Sequence, residues 1–220
     1  MLRRAAAPAL ALVLAATEAL AAGLPELAAR VSSATVVVEA ATRDGRRTGS
    51  GFFLEQRGLV ATALHTVAGA RRVRVAIPGR FAASDARLLA ASSAWDLAVL
   101  EVTWPADVPY PGLLLDPVPL AAGEEVALAG YGHLGEELPA TPLTIRGIVS
   151  GEIAHQGSVA HVLDLGAREG FSGGPVFRTD GAAVAGVLTR VHAPAGGVGP
   201  GGASPASVLR ALVSGIGRSR

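Results

Sequence analysis

Ser172 lies in Gly170-Phe171-Ser172-Gly173-Gly174-Pro175, where three glycines in six residues surround a single hydroxyl. Glycines let the backbone adopt positive φ angles and approach a ligand closely, so this serine is presented rather than packed. A serine hydroxyl is a weak nucleophile at neutral pH until a base takes its proton. Imidazole, with an ordinary pKa of about 6.5, can take that proton and later return it to a leaving amine. His65 lies in Ala61-Thr62-Ala63-Leu64-His65-Thr66-Val67, and Asp96 in Ala94-Trp95-Asp96-Leu97-Ala98-Val99-Leu100. Four apolar residues follow Asp96, so its carboxylate is expected half-buried at the start of a strand, where it calls for a hydrogen-bonding partner. His65 Nδ1 meets that need, and the bond would hold the tautomer that leaves Nε2 facing Ser172.

Several other chemistries are excluded. Gly-x-Ser-x-Gly also marks the nucleophile elbow of α/β-hydrolases, but there the acid and then the histidine follow the serine. Here only Asp180 and His192 follow, with too little chain for that architecture. The absence of Cys removes a thiol nucleophile, a disulfide and a thiolate metal site, and the absence of Lys removes a Ser-Lys dyad. Five scattered histidines show no metal-binding spacing, so neither a metal nor any other cofactor is expected. A lone histidine after a strand is ordinarily a surface or satisfied core residue, and a lone Asp before an apolar run ordinarily caps a turn. Their joint occurrence with Ser172 is what points to catalysis. Asp44, Asp107, Asp116 and Asp180, and His133, His155 and His192, sit among turn or loop residues and are expected on the solvated surface. Asp164 is read as structural.

Four segments in order, Gly49-Ser50-Gly51-Phe52, Thr62-Ala63-Leu64-His65-Thr66-Val67, Asp96-Leu97-Ala98-Val99-Leu100 and the Ser172 loop, resemble the trypsin-like (chymotrypsin-fold) serine proteases, and among them the bacterial HtrA/Deg type. Leu24-Pro25-Glu26-Leu27, Gly147-Ile148-Val149-Ser150 and Ala203-Ser204-Pro205 add weaker echoes. The resemblance implies an all-β fold of two six-stranded antiparallel barrels with the active site between them, flanked by a short N-terminal and a C-terminal helix. It implies catalysis by His65, Asp96 and Ser172, and an oxyanion hole made by the N–H groups of Gly170 and Ser172. It places the primary substrate pocket at Gly166, Ala167, Gly202, Ala203 and Ser204. Gly166 stands where an Asp would select Arg or Lys, so an aliphatic side chain is expected there. The sequence departs from the pattern at Phe171, where many relatives carry Asp or Asn. With 220 residues the chain is read as lacking the PDZ domain of many Deg-type relatives.

The elements that must position these groups follow from periodicity. Met1-Leu2-Arg3-Arg4, the apolar run Ala5 to Ala16 and Ala19-Leu20-Ala21 read as a signal peptide over residues 1–21 cleaved after Ala21. Leu24 to Ser33 reads as an amphipathic helix with Pro25 in its first turn. Strands are expected at Thr35–Ala41, Gly49–Leu54, Leu59–Thr62, Val73–Ile77, Ala86–Ala91 and Leu97–Val102, giving barrel one over about 34–103. Five prolines between Trp104 and Pro119 mark an extended surface linker over about 104–120. Barrel two, about 121–205, would use Glu125–Ala129, Leu143–Ser150, Val159–Asp164, Pro175–Arg178, Ala182–Thr189 and Gly202–Ser204. Pro194 to Gly202 reads as a flexible loop, and a helix over about 206–217 closes the chain.

The expectation is an exported, periplasmic or secreted, serine endopeptidase acting on unfolded or flexible protein and peptide substrates. The alternative is a catalytically silent pseudoprotease or chaperone-like binding domain. A net charge of +1 gives no reason to expect nucleic acid. No stable membrane association is expected after cleavage of the leader, and homo-oligomerisation is compatible with the resemblance.

Overall fold

A computed structural model describes residues 23–105, 110–134, 137–192 and 197–218. The leader and its cleavage site lie outside them, as does Asp107. Helix α1, Leu24–Ala34, has Pro25 in its first turn and buries Leu27, Val31 and Ala34 on one stripe.

Twelve strands then form two closed antiparallel barrels. Barrel one comprises β1 Thr35–Ala41, β2 Arg46–Phe53, β3 Leu59–Ala63, β4 Arg72–Ile77, β5 Phe81–Ser92 and β6 Leu97–Val102, joined in the order β1-β2-β3-β6-β5-β4. Barrel two comprises β7 Glu125–Gly130, β8 Leu143–His155, β9 Ser158–Ala167, β10 Pro175–Arg178, β11 Val184–Val191 and β12 Gly199–Pro205, joined in the order β10-β11-β12-β9-β8-β7. A one-turn helix α2, Leu64–Val67, interrupts barrel one, and α3, Ala206–Arg218, ends the described chain.

Alternation along the strands builds three cores. Val36, Val38, Val60, Val75, Ala98 and Leu100 fill barrel one, and Leu128, Val149, Leu163, Val176 and Leu188 fill barrel two. The opposite faces of β3 and β6 carry Ala61, Leu97 and Val99, which pack with Ala127, Ala129, Phe177 and Val187 between the barrels. Leu27 and Val31 of α1 and Leu209 of α3 close this interface. Residues Leu97–Leu100 are therefore apolar without alternation because both faces of β6 are buried.

Several elements differ from expectation for identifiable reasons. β5 and β8 run longer, to 12 and 13 residues: β5 extends back to Phe81 by pairing with β4, and β8 continues past a register shift at Val149/Gly151. β8 turns into β9 through Gln156 and Gly157, both at positive φ, a hairpin geometry that usually calls for Asn-Gly. The glycines from Gly199 to Gly202 are strand β12 rather than flexible loop. A Cβ at Gly201 would stand 2.6 Å from Leu188 Cδ1, so that glycine serves close strand contact. The linker is also not wholly on the surface: Trp104 packs edge-on against Phe53 with ring centroids 4.6 Å apart, and Leu113 is buried.

Candidate active site

His65 sits on α2, directly after β3, and Asp96 ends the β5–β6 turn. Asp96 has φ +52°, a left-handed conformation that Asp tolerates better than most residues and that is often stored at functional sites. The conformation turns both carboxylate oxygens onto His65. The backbone N–H of His65 donates to Oδ1 at 2.7 Å, and Nδ1 lies 2.5 Å from Oδ2. The Leu64 N–H also donates to the Asp96 carbonyl at 2.9 Å. Arg47 on β2 donates to the carbonyls of His65 and Ala68, pinning the far end of the helical turn. Asp96 is 23% exposed at its side chain and His65 50%, so the acid is sheltered while the imidazole reaches solvent.

The Ser172 loop enters the seam from barrel two. Gly170 and Gly173 adopt φ +91° and +89°, which an ordinary side chain would strain. A Cβ at Gly173 would lie 2.1 Å from the Ser50 carbonyl oxygen and 2.8 Å from the Ala63 nitrogen. One at Gly49 would meet Thr66 Oγ1 at 2.8 Å and the Ser172 carbonyl at 3.0 Å. The residue after Ser172 thus packs against Ser50 and Ala63, and Gly49 lies between Thr66 and the Ser172 carbonyl. The Ser172 hydroxyl itself makes no hydrogen bond among the described residues, to His65 or to any other group.

Neither the Gly170 nor the Ser172 N–H donates to a backbone carbonyl among the described residues. The carbonyls of the same stretch are engaged: Glu169 accepts from His133 N–H at 2.9 Å, and Gly170 from Ser50 Oγ at 2.7 Å. The N–H groups of Gly170 and Ser172, on either side of Phe171, are thus left without a backbone acceptor on a glycine-bent turn. Phe171 is fully buried and lies over Gly130 and Gly132, where an added Cβ would approach its ring to 2.7 and 2.1 Å. The loop is therefore anchored by an aromatic ring in a glycine socket, with no charged residue at that position. Phe171→Ala is expected to destabilise the fold by about 3–5 kcal/mol through the cavity it leaves. Urea unfolding measures the loss, and an unchanged midpoint would contradict the socket.

The five pocket residues are placed unevenly. Gly166 is exposed near the end of β9, and Ala167 and Ala203 are closed into the barrel-two core. Gly202 and Ser204 instead line a cavity of about 300 Å³ shared with Trp95, Asp96, His161 and Thr189. Ser204 Oγ donates to the Trp95 carbonyl at 2.7 Å, tying β12 to the turn that carries Asp96. His155 also reaches this turn, through the Ala94 carbonyl, and Asp116 pairs with Arg178, so neither is merely solvated surface. Both depend on contacts between distant segments. Among the described residues no group of three or more acidic, His or Cys side chains could hold a metal ion.

His161 carried no signal in the sequence: it is one inward position in an alternating strand. It is 1% exposed, neither ring nitrogen has a hydrogen-bond partner among the described residues, and Glu152 Oε1 stands 3.7 Å from Nδ1. Burial lowers its pKa against the opposing pull of Glu152 and Glu124. The unfolded chain, with an ordinary imidazole, therefore takes up the proton first as pH falls. Stability from this group is held above pH ~6.5 and declines below it. Denaturant titrations from pH 7.5 to 5 are expected to show a shallower pH dependence for His161→Leu than for the native protein; equal slopes would contradict this.

A trypsin-like peptidase domain model matches residues 49–186. A probable periplasmic serine endoprotease, DegP-like, of Rhizobium meliloti (strain 1021) is 31% identical over 172 residues, 78% of this chain and 33% of that protein. The chain thus spans about a third of the length of that curated relative. Among solved structures, the HtrA-type protease AlgW with a tripeptide superposes with TM-score 0.75 at 20% identity, covering 89% of this chain and 64% of that one. The serine endoprotease from Yersinia pestis gives 0.71 at 23% identity, covering 90% and 67%. A protease from M. tuberculosis in its active form gives 0.69 at 20% identity, covering 87% and 84%. With its two closed barrels, and with His65, Asp96 and the Ser172 loop meeting at their seam, the chain belongs to the trypsin-like peptidase family.

Proposed function

We propose that the protein is an exported serine endopeptidase that hydrolyses peptide bonds in unfolded or flexible protein segments through an acyl-enzyme on Ser172. The observation that carries the reading is the double engagement of His65 by Asp96 at the seam. A carboxylate gripping both the backbone N–H and Nδ1 fixes ring position and tautomer together, which a merely structural ion pair does not require. In the reaction, Ser172 Oγ bonds to the scissile carbonyl carbon as His65 Nε2 takes the hydroxyl proton. The oxyanion is met by the N–H groups of Gly170 and Ser172. Collapse breaks the C–N bond, His65 protonates the leaving amine, and water repeats the sequence to free the acyl group.

Family relatives described as proteases, one of them solved with a tripeptide, support protein segments as substrates. The leader-like residues 1–21 and the printed description of the Rhizobium relative as periplasmic support export. Gly202 and Ser204, the two pocket residues that line the cavity, supply no acid to partner a buried cationic side chain. An aliphatic residue on the acyl side of the scissile bond is favoured, with discrimination of roughly 1–3 kcal/mol between neighbouring sizes. Incubating the purified chain with a permanently unfolded protein and sequencing the fragments tests the reading. Cleavage after Val, Ala or Leu is expected; dominant cleavage after Arg or Lys would contradict the pocket, and no cleavage the function.

A further inference from the structure

Ser50, on β2 of barrel one, is fully buried and joins three segments. Its hydroxyl donates to the Gly170 carbonyl at 2.7 Å and accepts from the Tyr131 N–H at 2.8 Å. Its backbone N–H donates to the Ser172 carbonyl at 2.8 Å, and its own carbonyl accepts from Thr62 Oγ1 at 2.7 Å. The segment after β7 and the Ser172 loop are in direct contact, since a Cβ at Gly170 would stand 2.3 Å from the Tyr131 carbonyl and 3.1 Å from the His133 nitrogen. Two residues beyond Tyr131, the His133 N–H holds the Glu169 carbonyl. That carbonyl belongs to the same peptide group as the Gly170 N–H.

We propose that Ser50 is a positioning residue for the oxyanion hole: its hydroxyl, reaching across from barrel one, holds the Gly170 N–H free to meet the substrate oxyanion. The inference rests on the peptidase reading above. A 180° turn of the Glu169–Gly170 peptide would put a carbonyl where the donor belongs, and glycine, which adopts either sign of φ, does not by itself enforce the +91° seen here. Two bonds make the choice. Ser50 Oγ fixes the carbonyl on one side of Gly170 directly, and it fixes the other side through Tyr131 and His133. A hydroxyl is suited to this node because it donates once and accepts at the same time. Alanine supplies neither bond and leaves the Tyr131 N–H and the Gly170 carbonyl buried without a partner. Phe171 has no charge with which to hold the loop, so the task falls to these neutral bonds.

The test uses the full chain and two readouts: steady-state hydrolysis of a peptide substrate, and hydrogen exchange resolved over residues 129–134 and 168–174. Ser50→Ala is expected to lower kcat about 10- to 100-fold with KM within about twofold, since the lost stabilisation acts on the transition state. Exchange should quicken in those two segments while β4 and β5 keep native rates. Ser50→Cys keeps the shape with a weak donor and acceptor, should fall between, and replaces Ser50→Ala in both readouts if the alanine variant does not fold. A folded variant with native kcat, or with exchange raised uniformly over both barrels, would overturn the proposal. If the native chain cleaves no peptide, the peptidase reading fails first. The exchange pattern then decides the Ser50 role alone: confined quickening supports it, native rates in the two segments refute it.

Discussion

Replacing Ser172 with alanine is expected to lower peptide hydrolysis by about 10⁶-fold, because the atom that forms the acyl bond is gone. Stability should scarcely change. The Ser172 hydroxyl has no hydrogen-bond partner among the described residues, and the side chain is only partly buried, so its loss breaks no internal contact. The loop stays in place because its anchors lie elsewhere, in Phe171 over Gly130 and Gly132 and in the hydroxyl of Ser50. Steady-state kinetics with a thermal melt on the same sample checks both halves. Activity within tenfold of native would mean that another group attacks the carbonyl, and a much lower melting temperature would mean that the hydroxyl has a structural partner.

The second large effect is at Asp96. Asp96→Asn keeps size and can still face His65, but an amide nitrogen toward Nδ1 favours the tautomer that carries its proton on Nε2, where it cannot take one from Ser172. A fall in kcat of about 10⁴-fold is expected at neutral pH. The backbone bond from His65 N–H to the other oxygen can persist, so the fold should survive. The left-handed φ of +52° is one that Asn also tolerates, which removes backbone strain as a competing cause. A variant retaining a tenth of native kcat would show that Asp96 does not set the tautomer of His65.

Much of this arrangement was legible because the residues concerned are locally marked. The glycines around Ser172 announce a bent loop, and the unbroken apolar run after Asp96 announces a buried strand. What the sequence did not show is assembled from distant segments. Ser50 reads as one serine between two glycines; its meaning comes from bonds to residues 81 and 120 positions away. His161 reads as one position in an alternating strand, and only the closing of barrel two against the Trp95–Asp96 turn reveals it as a buried imidazole without partners. Asp116 reads as a turn residue, yet it meets Arg178 across 62 positions. The glycines of β12 misled for the opposite reason, since local composition signals flexibility whereas contact with Leu188 and Arg190 demands a missing side chain. Strand ends were blurred where bulges shift the register.

The central claim is that Ser172 is a nucleophile activated by His65. Covalent labelling with a fluorophosphonate, followed by peptide mapping, tests it most directly, because the reagent reacts with an activated serine and not with an ordinary hydroxyl. The account predicts a single adduct on the peptide carrying Ser172, lost in Ser172→Ala and strongly slowed in His65→Ala. An adduct on another serine, or labelling of the native chain no faster than of Ser172→Ala, would contradict it.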